Sequence, residues 1–154
     1  MLEFHLVEGF PHGQWPAIAA LAGSTGGFNE AFFRQQLVGR QKILSCLATA
    51  DGELVGYKIG FEERPSYFES WIGAVAPEAR RQGIAAALME RQHRWCREQG
   101  FKIVSTITEG NNQPMLIANL RAGFEVCGTF LDRRKILKVI LQLHLTPALD
   151  GPHA

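Results

Sequence analysis

The chain has 154 residues, 46% of them apolar and 20% charged, with a formal net charge of +1. A chain of this length forms one domain and buries roughly two-thirds of its unfolded surface, so it needs neither a metal nor a disulfide staple. The near-neutral charge weakens the electrostatic case for a nucleic-acid partner to that of a local basic patch, and no apolar run approaches the ~20 residues that span a bilayer.

Cys46, Cys96 and Cys127 are widely spaced. They match no metal-ligand spacing, and their odd number argues against a disulfide framework. Met1-Leu2-Glu3-Phe4-His5 lacks a basic segment followed by an apolar one. The expectation is therefore no signal peptide, reduced thiols and a cytoplasmic location.

In chain order, Leu2, Phe4 and Leu6 alternate with Glu3 and His5, which predicts a short half-buried strand. Pro16 opens a helix to about residue 22, and residues 23–27 read as a flexible break, a mobile lip. Asn29 caps a second helix that turns Phe32, Phe33 and Leu37 inward and stops near Gly39. Strands follow over 43–50 and 54–62, joined by the Asp51-Gly52 hairpin signal. After a turn over 63–66, a third strand covers 67–75, where Gly73 marks a bulge or a close backbone approach.

A helix over 84–99 places Ile84, Ala87, Leu88 and Trp95 on one face and ends at Gly100. The segment 101–108 returns as a strand, and this strand–helix–strand order implies a right-handed crossover and a parallel pair. Asn112 is placed to cap a short helix ending at Gly123, before final strands over 124–130 and 136–145. The tail 146–154 contains proline and glycine and is expected to fray.

The stretch with the most chemical content is Arg80-Arg81-Gln82-Gly83-Ile84-Ala85, between a strand and a helix. Gly83 lets backbone N–H groups point outward with no side chain in the way. The helix N-terminus adds partial positive charge and the two arginines add full charge. The result is an anion cradle sized for a pyrophosphate. The plain alternatives are an ordinary turn and two solvated arginines.

This stretch resembles the acyl-CoA loop of GNAT-type N-acetyltransferases, Gln/Arg-x-x-Gly-x-Gly/Ala. A second resemblance is the segment from Asn112 through Asn119 to Gly123-Phe124, since the family carries an Asn seven residues before its usual catalytic tyrosine. The resemblance spans about residues 2–145, as a single domain. It implies an α/β (α+β) fold: a mixed, mostly antiparallel sheet of six to seven strands, with helices on both faces and a parallel pair splayed at one end. Acetyl-CoA, as co-substrate, would lie in that gap. Its pantetheine arm would pair near Ala74 and Val75, its pyrophosphate would rest on Arg80, Arg81, Gln82, Gly83, Ile84 and Ala85, and Asn112, Met115 and Asn119 would lie along the arm.

The reaction the resemblance implies is attack by a neutral primary amine on the thioester carbonyl in a ternary complex. The amine must first lose a proton. Family members with a glutamate base carry it fourteen residues before the first loop glycine, which is Glu69 here. Glu62, Glu63 or no protein base at all are the alternatives. The tyrosine position holds Asn119, which is no acid near neutral pH. A thiol of pKa about 8.5 is a fair leaving group without one.

The acceptor would be a small-molecule, peptide or protein amine, with residues 10–35 and 62–70 forming its side of the site. A homodimer is open by family analogy. The competing functions are a CoA-binding sensor or scaffold with weakened chemistry and, less consistent with the hairpin, an unrelated phosphate-binding domain.

Other residues have plainer readings. Trp15, Phe32, Phe33 and Trp95 read as core, and the three cysteines as inert packing. The five histidines show no ligand spacing, so no metal is expected, and His93 reads as surface or half-buried.

Overall fold

The computed structural model describes residues 1–25 and 28–145. In chain order the elements are β1 (Leu2–Glu8), α1 (Trp15–Ser24), α2 (Glu30–Leu37), β2 (Gln41–Ala50), β3 (Glu53–Arg64) and β4 (Tyr67–Val75). A 3-10 turn (Pro77–Ala79) then leads to α3 (Ile84–Glu98), β5 (Ile103–Glu109), α4 (Gln113–Arg121), β6 (Glu125–Leu131) and β7 (Leu137–His144). The strands form one seven-stranded sheet, ordered β1-β2-β3-β4-β5-β7-β6. Every neighbouring pair is antiparallel except β4 and β5.

The local signals that set these elements act as expected. Asp51 and Gly52 both take positive φ, 51° and 83°, the backbone a two-residue hairpin of matching twist demands. The Asn29 side chain accepts the Phe32 N–H at 3.1 Å and Asn112 accepts the Met115 N–H at 3.3 Å, so both helices start on side-chain caps. Gly100, with φ +86°, ends α3 in the left-handed conformation that glycine takes most easily.

Helices cover both faces of the sheet. On one face Ile84 and Leu88 of α3 lie over Gly56, where a Cβ would meet them at 3.0 and 3.4 Å. On that face Trp95 also meets Phe68, ring centres 5.7 Å apart. On the other face Phe33 of α2 packs on Trp71, which in turn meets Phe61. Phe68, Ile18, Leu37, Leu44, Ile59, Leu88 and Leu141 are completely buried between these layers.

Several expectations need correction. Gly23 and Ser24 continue α1, because the hydroxyls of Ser24 and Thr25 take up the carbonyls of Leu21 and Ala22. Those residues are therefore a capped helix end rather than a lip, and Gly26 and Gly27 lie outside the described residues, as does the tail 146–154. The turn after β3 tightens to Pro65-Ser66, with Arg64 over the Tyr67 ring at 3.8 Å. Phe32 is exposed while Phe33 and Leu37 face inward. Cys127 is exposed because β6 forms the sheet edge, whereas Cys46 and Cys96 are buried.

Candidate active site

The site is built around an incomplete pairing. β4 and β5 share register at only three positions, Tyr67 with Ile103, Phe68 with Val104 and Glu69 with Ser105. Both strands then run on, β4 to Val75 and β5 to Glu109, without pairing to each other. The Thr106 hydroxyl donates to the Ser70 carbonyl at 2.9 Å and pins the point where the strands part. A bulge lies just above it. Ile72 pairs with Ile59 and Ser70 with Gly60, which leaves Trp71 as the extra residue. A bulge bends its strand and re-aims a side chain, and here Trp71 turns toward Phe33. Gly73 serves the same stretch by close approach, since a Cβ there would sit 3.0 Å from the Tyr57 carbonyl oxygen.

The parted strands open a cleft of about 1140 Å³ that passes between α1 and α2 on one side and α3 and α4 on the other. Ala74, Val75, Ala85, Asn112 and Met115, five of the residues that the family resemblance assigns to the donor, line it. Ile84 is buried over Gly56 instead. Asn119 is 1% exposed and donates to the Thr108 hydroxyl at 3.2 Å. It therefore ties α4 to β5 and does not face the cleft.

Arg80, Arg81, Gln82 and Gly83 form an exposed loop at the mouth. The Arg80 N–H bonds the Pro77 carbonyl and the Ala87 N–H bonds the Gly83 carbonyl. Between them, the N–H groups of residues 81–86 meet no acceptor among the described residues. Arg81 and Gly83 both adopt positive φ, 66° and 75°, a conformation that turns successive N–H groups into a concavity suited to an anion. Arg80 Nε donates to the Val75 carbonyl at 3.2 Å, which fixes the loop against the end of β4. Nothing lies within 4 Å of where a Gly83 Cβ would stand, so the concavity is open.

Glu69 stands at the last paired position, opposite Ser105 and beside Phe61. Burial is the main cause that pushes its carboxyl up to about 8, and the nearby Glu63 adds to it, while the Ser105 hydroxyl and Arg40 pull the other way. Glu69 does not itself line the cleft; its neighbours Ser70 and Trp71 do. Glu62 pairs with Phe68 and so lies on the opposite face of the sheet from Glu69. Glu63 is exposed at the strand end.

Sequence reasoning missed a polar floor on the α3 side. Lys58 of β3 and His93 of α3 both line the cleft. Burial lowers Lys58 to about 8. Burial first, then the charges of Lys58 and Arg97, hold His93 at about 4. His93 is thus a buried neutral imidazole, 6% exposed, which corrects the half-buried expectation. Ser70 Oγ, His93 Nε2 and both amide atoms of Gln92 lack protein partners among the described residues. The alternation of β3 places Lys58 on this face, but only the strand pairing brings it opposite Gly73. No group of His, Cys, Asp and Glu able to hold a metal occurs among the described residues, nor is any described helix long and apolar enough to cross a membrane.

The model of the Acetyltransferase (GNAT) family matches residues 14–124. The chain belongs to this family. Among curated relatives, this GNAT chain is 31% identical over 102 residues to the aminoglycoside N(6')-acetyltransferase type 1 of Klebsiella aerogenes, covering 61% of this chain and 66% of that one. It therefore spans just under two-thirds of that relative's length. Among solved structures, the ribosomal-protein-S18-alanine N-acetyltransferase of Escherichia coli superimposes with a TM-score of 0.80 at 16% identity, covering 97% of this chain and 99% of that one. Ard1 of Thermoplasma volcanium gives 0.77 at 16% identity, with coverages of 94% and 99%. At these identities the two structures establish the shared fold.

Proposed function

We infer that this chain is an N-acetyltransferase that moves an acetyl group from acetyl-CoA to a primary amine by direct attack in a ternary complex. The observation that carries the reading is the junction of two features. A strand edge left unpaired beyond Glu69 leads to six consecutive backbone N–H groups, over residues 81–86, without acceptors. The first N–H groups of any helix lack intrahelical acceptors, and here the positive φ of Arg81 and Gly83 extends them into a longer concavity suited to an anion. The first feature fits the amide-bearing arm of the donor and the second fits its diphosphate. Ala74 and Val75 lie along the arm, Arg80, Arg81, Gln82, Gly83 and Ala85 hold the phosphates, and Asn112 and Met115 form the opposite wall. The GNAT family match and the aminoglycoside-acetylating relative support the same class of reaction.

In this reading the amine enters from the α1–α2 side and gives up one proton, which passes through water to Glu69 behind the cleft wall. A carboxylate with a pKa near the working pH is well matched to that task. The neutral amine then attacks the thioester carbonyl, the C–N bond forms, the C–S bond breaks, CoA thiolate departs and the nitrogen releases its second proton to water as the amide forms. A backbone N–H freed at the fork polarises the carbonyl oxygen. Asn119 contributes by holding Thr108 and α4 in place. The thiolate leaves without a side-chain acid and takes its proton from water.

The test is thiol release from acetyl-CoA with a panel of amines, alongside calorimetric titration of CoA. Saturable CoA binding with amine-dependent thiol release is the expected result. Binding without release from any amine would instead mark a CoA-responsive scaffold, and the absence of binding would remove the donor assignment.

A further inference from the structure

The acceptor half of the cleft has a chemical character that distinguishes among amines. Phe28 and Phe33 stack with ring centres 4.8 Å apart, and Phe33 meets Trp71 at 5.4 Å. Phe28, Phe33 and Trp71 all line the cleft, and across the fork Ile107 of β5 lines it too. Ile107 is 45% exposed, an apolar side chain left open to the cleft. The wall is fixed by several independent elements: the Asn29-capped helix α2, the β4 bulge at Trp71 and strand β5.

The negative charge available on this side is small. Glu69 and its neighbour Glu63 are the carboxylates near the fork. Glu30 is engaged by the Trp15 indole N–H at 2.7 Å. The two acidic residues that line the rest of the cleft are engaged as well, Glu90 by Arg94 at 2.6 Å and Glu109 by Lys138 at 3.3 Å. A polycation would bring several ammonium groups against this wall and leave most of them desolvated without a counter-charge, at high cost. A single amine carrying an aromatic or branched apolar group leaves only one nitrogen to be accommodated, at the Ser70–Trp71 end beside Glu69, and buries its body on rings.

Resting on the acetyltransferase reading, we propose that the acceptor is a monoamine with an aromatic or branched apolar body, seated on Phe28, Phe33, Trp71 and Ile107 with its nitrogen toward Glu69. In this respect the chain differs from its aminoglycoside-acetylating relative.

The experiment compares 2-phenylethylamine, ethylamine and kanamycin as acceptors with the full chain, and in parallel follows 2-phenylethylamine binding to the CoA-loaded protein by calorimetry. Burial of a phenyl ring should raise kcat/KM for 2-phenylethylamine at least about tenfold over ethylamine, with kanamycin no better than ethylamine. Trp71→Ala should reduce the phenyl advantage to under about threefold while CoA affinity stays unchanged. Ile107→Thr, at a partly exposed position that tolerates the change, should reduce it in the same direction if Trp71→Ala fails to fold.

Kanamycin outperforming 2-phenylethylamine, or an unaltered phenyl advantage in the folded variants, overturns the proposal. Binding of 2-phenylethylamine without thiol release supports the pocket and overturns the transfer reading. Turnover of other amines with neither binding nor turnover of 2-phenylethylamine overturns the pocket alone. Failure of every amine to bind or react overturns both.

Discussion

Glu69 is the residue where burial, charge and topology meet. Its carboxyl, held up to about 8 chiefly by burial, is largely protonated at neutral pH, so amine acetylation should rise with pH until near 8. Glu69→Gln should remove that limb, lower kcat about 100-fold and leave CoA affinity unchanged; a pH–rate profile with the same limb in the variant would dismiss Glu69 as the base. The same residue affects stability. Its pKa is raised above the unfolded value of about 4.5. The favourable contribution of the protonated group is therefore complete below pH 4.5 and is lost as pH climbs through 8. Thermal melts should accordingly show Glu69→Gln gaining on the parent between pH 5 and pH 9.

Gly83 permits a sharper test of the loop. A glutamate there supplies a charge that a helix N-terminus favours, offset by about 1 kcal/mol of left-handed strain. The fold should survive. The carboxylate, however, would occupy the concavity meant for a phosphate, so calorimetry should show CoA affinity falling by about 100-fold or more, a loss on the scale of a charge-assisted hydrogen-bond network. Both Gly83 and Glu69 are readable in the chain, one from its motif and the other from a residue count. Ser105 and Trp71 are not. Which residue of β5 falls opposite Glu69 depends on register, and Trp71 points as it does because of a bulge that the strand pattern does not announce.

At the level of elements, local chemistry is the best guide. Turn residues, caps and stop glycines mark nearly every boundary, because each satisfies or excludes a backbone conformation within four or five residues. The failures are also local. The expected break over 23–27 rests on small residues alone, whereas Ser24 and Thr25 return their hydroxyls to the helix. Helix α4 carries a dual role that mutation can separate. Asn112 caps it and also lines the cleft. Asn112→Ala should cost about 1 kcal/mol of stability and weaken CoA binding. Asn112→Ser should restore the stability, measured by denaturant titration, but not the affinity, if the amide itself touches the donor. Recovery of both would reduce Asn112 to a cap.

Across the whole molecule, three residue pairs are the entire strand-to-strand seam between β1–β4 and β5–β7. The parallel crossover and its neighbours follow from the order of predicted elements. The insertion of β7 between β5 and β6 does not, since it depends on which strand best completes β5 in space. A donor lying along the open edges should bridge the two halves. Saturation at about 100 times Kd contributes about 2.7 kcal/mol, so CoA should raise Tm by about 5–10 °C, and slowed amide hydrogen exchange should concentrate in residues 70–75. Uniform protection, or none there, would contradict the bridging arrangement.

The edge position of β6 has a practical consequence. Of the three thiols, two are sealed inside and Cys127 alone meets solvent, two strands away from the fork in the sheet order. A maleimide fluorophore should therefore couple at one native position, giving an optical reporter of domain breathing without engineering a new cysteine or touching the reaction centre.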